Sequence, residues 1–129
     1  MTAAIKKPSN VEISYQADIA GLAAGSAHNP TPMQVVQRAS AFDDTSPVVK
    51  TFDVSDGPCG WAWVNTPGNT SFGRFAVKAG LGRRGYYGGI DIYCSLFNQS
   101  VERKRKYCEA YAEVLNRHGI DASVNARLD

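Results

Sequence analysis

The sequence predicts an α+β fold: a two-layer sandwich in which two helices cover one face of a four-stranded sheet. The predicted order is ββαβαβ, preceded by a short helix and an N-terminal arm. Three observations lead to this. Residues 89–96 and 120–128 alternate apolar and polar side chains, the period of a half-buried strand. Residues 101–118 instead carry apolar side chains at helical spacing (Val101, Cys108, Tyr111, Ala112, Leu115). Glycine stands just past each of the two covering helices, at Gly80 and Gly119.

The elements follow in order. Residues 1–30 are small, polar and irregular, and read as a flexible arm; residues 31–129 read as a single domain. A short helix is expected from Thr31, which would cap it, with Pro32 at the first helical position and Gln34 completing a capping box. Its apolar residues would be Met33, Val36, Ala39 and Phe42. Two strands follow, 50–54 and 61–65, and Asp56-Gly57-Pro58 between them suggests a hairpin. Residues 69–79 read as a helix packing Phe72, Phe75 and Ala76. The strand at 89–96 places Ile90, Ile92, Cys94 and Leu96 on one face. Ser100 caps the long helix, and Ile120 is positioned to fold back on Leu115 beyond Gly119. In the last strand Ile120, Ala122, Val124, Ala126 and Leu128 point one way. The open face of the sheet would then carry Thr51, Asp53, Asp91, Tyr93, Ser95, Asn125 and Arg127. Trp61 and Trp63 read as core or as a packed edge, whereas an exposed pair would mark an interface.

At 129 residues, 43% hydrophobic and 20% charged, the chain is long enough to bury one core and too ordinary in composition for wholesale disorder. Its net charge of +2 is unevenly spread. Residues 1–72 hold 4 basic and 6 acidic side chains (net −2), and residues 73–129 hold 10 and 6 (net +4). A basic second half suits an anionic partner, at a density below that of proteins that coat DNA. Cys59, Cys94 and Cys108 are odd in number without CxxC spacing, as expected of reduced thiols in a cytosolic protein. No apolar run approaches bilayer length, and Asp18 interrupts the Ala/Gly-rich segment 17–27, a poor signal peptide. No membrane association is expected.

The segment Gly80-Leu-Gly-Arg-Arg-Gly-Tyr-Tyr-Gly-Gly89 spells G-x-G-x-x-G. A dinucleotide site needs a strand leading into that turn and a helix leaving it; here a helix ends at Gly80 and a strand begins after Gly85. The segment reads instead as a mobile connection displaying Arg83, Arg84, Tyr86 and Tyr87, residue types that fork onto phosphate and stack on unpaired bases. The run Arg103-Lys-Arg-Lys106 cannot form one stripe, because successive helical residues turn by about 100°. Glu102 with Lys106, Arg105 with Glu109, and Glu113 with Arg117 are spaced for i,i+4 pairs, the pattern of a solvated face. Arg103 and Lys106 could still share a surface with the arginines of the glycine-rich segment.

Cys59 has no helix start and no histidine near it in sequence to activate it. His28 and His118 with the three cysteines match no zinc spacing. Asp53, Asp56 and Asp91 would act as a carboxylate set only if the strands converged them. The sequence therefore points away from an enzyme: no catalytic residue, metal or cofactor is expected.

From Cys59 onward the chain resembles a family of small proteins encoded by tailed bacteriophages. The resemblance is carried by Gly60-Trp-Ala-Trp-Val-Asn65, Phe72-Gly-Arg-Phe75, Tyr86-Tyr-Gly-Gly89, Gln99-Ser-Val-Glu-Arg-Lys104, Gly119-Ile-Asp-Ala122 and Ala126-Arg-Leu-Asp129. The family has no activity to transfer. The resemblance implies a phage setting, either the host cytoplasm or the virion.

Two functions are expected from these readings. One is a non-catalytic phage-type accessory protein that binds nucleic acid through Arg83, Arg84, Tyr86 and Tyr87, supported by Arg103, Lys106 and Arg127. The other is a protein-interaction module, a virion component or host-directed inhibitor, using the N-terminal arm and the open sheet face.

Overall fold

The computed structural model describes residues 7–38, 45, 48–54, 57–98 and 100–128. They form α1 (Asn10–Ala27), β1 (Met33–Arg38), β2 (Val48–Val54), β3 (Gly60–Thr66), α2 (Ser71–Lys78), β4 (Arg83–Arg84), β5 (Ile90–Tyr93), α3 (Val101–Arg117) and β6 (Ser123–Leu128). The fold is α+β, with a four-stranded antiparallel sheet ordered β4-β5-β3-β6 and a separate two-stranded sheet of β1 and β2. From β3 onward the connectivity is β-α-β-β-α-β with the first and third strands central, the split βαβ arrangement of ferredoxin-like domains.

Helix ends form where the local chemistry calls for them. Ser100 Oγ accepts from Arg103 N–H at the start of α3, and Thr70 Oγ1 accepts from Gly73 N–H at the start of α2. Gly80 (φ 76°) stops α2, and beyond it Leu81 N–H donates to Ala76 O at 2.8 Å. Gly119 (φ 77°) does the same for α3, with Ile120 N–H reaching Leu115 O at 3.0 Å.

The core lies between one face of the four-stranded sheet and the helices. Ala62 and Val64 of β3 and Ile90 and Ile92 of β5 are buried against Phe72 and Ala76 of α2 and Cys108, Ala112 and Leu115 of α3. Helix α3 buries more than one stripe. Tyr107, Tyr111 and Val114, on its flank, form part of the same core with Ile13 and Ala17 of α1. Lys104 is also buried, its Nζ donating to Gly60 O at 3.1 Å, which ties α3 to the start of β3. Of the basic run 103–106, only Arg105 and Lys106 are exposed. The Glu113–Arg117 pair forms at 3.0 Å, whereas Lys106 pairs with Glu109 at 3.5 Å and Glu102 turns to His28 at 3.2 Å.

Four expectations are corrected here. Residues 10–27 of the expected arm are helix α1, packed on α3. Ser9 Oγ accepts from Glu12 N–H, so Ser9-Asn-Val-Glu12 has the spacing of a capping box. The glycines that suggested irregularity are contact points: a Cβ on Gly21 would stand 2.5 Å from the Tyr107 ring, and one on Gly25 2.5 Å from the Phe97 ring. The expected helix beginning at Thr31 is instead strand β1, since adjacent β-branched Val35 and Val36 favour a strand once one can pair with them. The expected hairpin of residues 50–54 with 61–65 does not form. β2 pairs with β1, and β3 pairs with β5 and β6, so Thr51 and Asp53 belong to another sheet. Finally, β5 ends at Tyr93, leaving Ser95 beyond it and Leu96 exposed. Ala39, Phe42 and Asp56 lie outside the described residues.

Candidate functional site

The face of the four-stranded sheet opposite the helices carries a regular grid of side chains. In one row, cross-strand register aligns Arg83 of β4, Asp91 of β5, Asn65 of β3 and Ser123 of β6. The next row aligns Tyr93, Trp63 and Asn125, and a third aligns Trp61 with Arg127. Rows on one face of a sheet are roughly 7 Å apart and neighbouring strands about 4.8 Å, so the grid has the dimensions of a few nucleobases.

The aromatic residues of the grid stack. Trp63 and Tyr93 meet with ring centroids 5.1 Å apart and planes 28° from parallel. The Arg83 guanidinium lies over the Tyr93 ring at 5.1 Å, and that of Arg127 over Trp61 at 5.6 Å. Trp61 and Trp63 are thus on the open face, Trp61 exposed and Trp63 half-buried, and the reading of the pair as core is corrected. Their strand reverses the usual size rule: small Ala62 and Val64 are fully buried in the core, and the large rings face out.

Arg83 and Arg84 are not on a mobile connection, a second correction at this site. They pair with Asp91 and Ile90 as edge strand β4, and the chain returns through a tight turn. Gly88 N–H donates to Gly85 O at 3.2 Å, making Tyr86 and Tyr87 the two central residues of a four-residue turn. Nothing covers them: Tyr86 is 92% exposed and Tyr87 97%, their rings edge to face at 4.8 Å. Glycine is needed on either side. A Cβ at position 85 would stand 2.8 Å from Asp91 Oδ2, and one at Gly89 (φ 67°) would stand 2.9 Å from Asn65 Oδ1.

Trp63, Tyr93, Arg83, Arg84, Tyr86, Tyr87, Asn65, Asp91, Asn125 and Arg127 line one concavity of about 1190 Å³. Five of the seven residues singled out from the sequence therefore come together, from two strands and a turn. The other two do not join them. Lys106 lines a separate concavity of about 510 Å³, which it shares with Arg127, so the two concavities meet at Arg127. Arg103 is half-buried on α3, its Nε buried without a hydrogen-bond partner among the described residues.

The cysteines have no place at this face. All three are free thiols. Burial pushes Cys94 up from the ordinary thiol value and Cys108 up to about 12. No helix among the described residues is long and apolar enough to cross a membrane. No protein-family model, curated protein or solved structure matches the chain.

Proposed function

We propose that the open sheet face binds single-stranded nucleic acid, as a non-catalytic accessory protein in the phage setting that the sequence resemblance implies. Arg83, Arg84 and Arg127 contact phosphates, and Tyr86, Tyr87, Trp63 and Tyr93 stack on bases. The carrying observation is the pair Tyr86 and Tyr87, almost wholly exposed on a tight turn beside a concavity lined by two more aromatic rings and three arginines. Burial would favour covering two adjacent tyrosines; a base stacked on each supplies that cover. The grid also parallels, by fold-level analogy, RNA-recognition modules that stack bases on aromatics of a four-stranded sheet. The arginines that now rest on Tyr93 and Trp61 are cations already poised over stacking surfaces, able to turn to phosphate as bases arrive.

The test is fluorescence anisotropy of a labelled 12-nucleotide single strand titrated with protein at rising salt. Affinity falls steeply with salt, and Arg83→Ala with Arg84→Ala reduces both affinity and slope. Absence of binding at low salt, or binding indifferent to salt, overturns the reading.

A second reading, protein interaction, is favoured by a different surface. Val11, Tyr15, Ile19 and Leu22 form an exposed apolar stripe along α1, opposite the face packed on α3. The N-terminal segment proposed as an interaction arm would act in that case as a helix. Val11→Ser with Tyr15→Ser abolishes capture of a protein partner from nuclease-treated lysate while leaving anisotropy unchanged, if that reading holds.

A further inference from the structure

Asp91 is a carboxylate without a cation at the centre of a basic face. It is only 9% exposed, and its neighbours in the concavity include Arg83, Arg84 and Arg127. Arg83 is its direct partner in the strand register, yet the Arg83 guanidinium turns to the Tyr93 ring. Among the described residues Asp91 forms no ion pair. Its side chain has one neutral donor, Asn65 Nδ2, at 2.8 Å from Oδ1. An enclosed carboxylate with a single neutral donor keeps acceptor capacity that the donors of a ligand can fill.

The acceptors left open are well defined. Asn65 Nδ2 donates both to Asp91 Oδ1 and to Gly88 O (3.0 Å), using its two hydrogens and fixing the amide with Oδ1 as a further acceptor. Among the described residues Asp91 Oδ2 has no donor, and Oδ1 keeps a second lone pair. The missing side chain of Gly85 keeps the space beside this carboxylate free of a Cβ. The floor of the site thus presents acceptors, while the phosphate-binding donors stand around it.

We infer that Asp91 reads a base, and that the base is guanine; this rests on the single-strand binding proposed above. Guanine alone presents two adjacent donors, N1–H and the N2 amino group, on its Watson–Crick edge, matching the two oxygens of one carboxylate. Adenine and cytosine each offer an amino group beside a ring nitrogen that accepts, and uracil flanks its single donor with two carbonyls. Each of these sets an acceptor against the carboxylate. A buried group left without its donor is what makes such discrimination strong.

The experiment uses the full chain and five RNA octamers, all uridine except for one central guanosine, inosine, adenosine, cytidine or uridine, compared by competition anisotropy at fixed salt. The guanosine octamer binds at least about tenfold more tightly than the all-uridine one. Inosine, which lacks the N2 amino group, loses much of that advantage, and Asp91→Asn levels the series. Equal affinity for all five with the salt dependence intact overturns the guanine assignment and leaves the stacking surface standing. No binding by any octamer at low salt overturns both. The inosine comparison needs no variant, so the inference stays testable even if Asp91→Asn does not fold.

Discussion

Trp63 and Tyr93 sit directly opposite each other on the two central strands, rings stacked at 5.1 Å on the sheet face opposite α2 and α3. An aromatic pair at this position stabilises the sheet through cross-strand contact. With Arg83 over Tyr93 at 5.1 Å, it also completes a cation–ring–ring cluster in which the members are already in contact. In the proposed function the same side chains would serve packing and recognition, so variants in them mix the two effects.

Tyr86 and Tyr87 separate the effects. Because they are 92% and 97% exposed, replacing either by Ala changes unfolding free energy by no more than about 0.5 kcal/mol in urea titration. If they stack on bases, each replacement weakens single-strand binding by about 1–3 kcal/mol. Unchanged affinity in both variants removes the turn from the binding surface.

How much of this was legible in the sequence depends on how local each determinant is. The ends of α2 and α3 were readable because a glycine and a capping hydroxyl act within one turn of chain, as Gly80, Gly119 and Ser100 do. The strands of residues 60–66 and 123–128 were readable from alternation. Their partners were not, because alternation says nothing of which strand lies beside which. Helix α1 was hidden by composition: Ala17, Gly21 and Gly25 look like loop residues until Tyr107 and Phe97 are seen against the last two. The spacing Ile13, Ala17, Gly21, Gly25, with the cap at Ser9, was the available signal. The site was half legible. Arg83, Arg84, Tyr86 and Tyr87 stood out by residue type. Trp61 and Trp63 misled because large rings are expected inside, and only the smallness of Ala62 between them hinted at the reverse.

Gly21→Ala tests the α1–α3 contact. Alanine is the better helix former by about 1 kcal/mol, so an unobstructed site would be stabilised. The new Cβ would stand 2.5 Å from the Tyr107 ring, and the ring cannot retreat without disturbing its hydrogen bond to Asp18. Overpacking of this kind costs about 1–3 kcal/mol. Net destabilisation in urea is the expected outcome, and a stabilised Gly21→Ala variant would show that α1 does not press on α3.

The thiols give a second check on the core. Cys94 and Cys108 are buried and held protonated, Cys108 by a shift to about 12, whereas Cys59 is partly exposed. Only the thiolate attacks a disulfide reagent. At pH 8 the native protein therefore releases one equivalent of thionitrobenzoate quickly, and the denatured protein releases three. Rapid reaction of three thiols in the native state would mean that the interface between the sheet and α3 opens readily.

Alkaline titration probes the helix layer from the other side. Burial pushes the Tyr111 hydroxyl up to about 12, and Tyr107 rises further because it is also held as a donor to Asp18. Each folded value lies above the unfolded value near 10, so between them the native state holds protons that the unfolded chain has released. By linkage, the stabilisation from these protonated tyrosines is complete below about pH 10 and is lost as pH climbs through 10 toward 12. Urea midpoints measured at pH 8, 10 and 11 should fall in both intervals, the raised Cys94 and Cys108 thiols contributing from about pH 9 and the two tyrosines adding to the fall above pH 10. Tyr111→Phe removes one of the two buried hydroxyls and makes the fall between pH 10 and 11 shallower. A midpoint that does not move between pH 10 and 11 would place Tyr107 and Tyr111 in contact with solvent, and α1 away from α3.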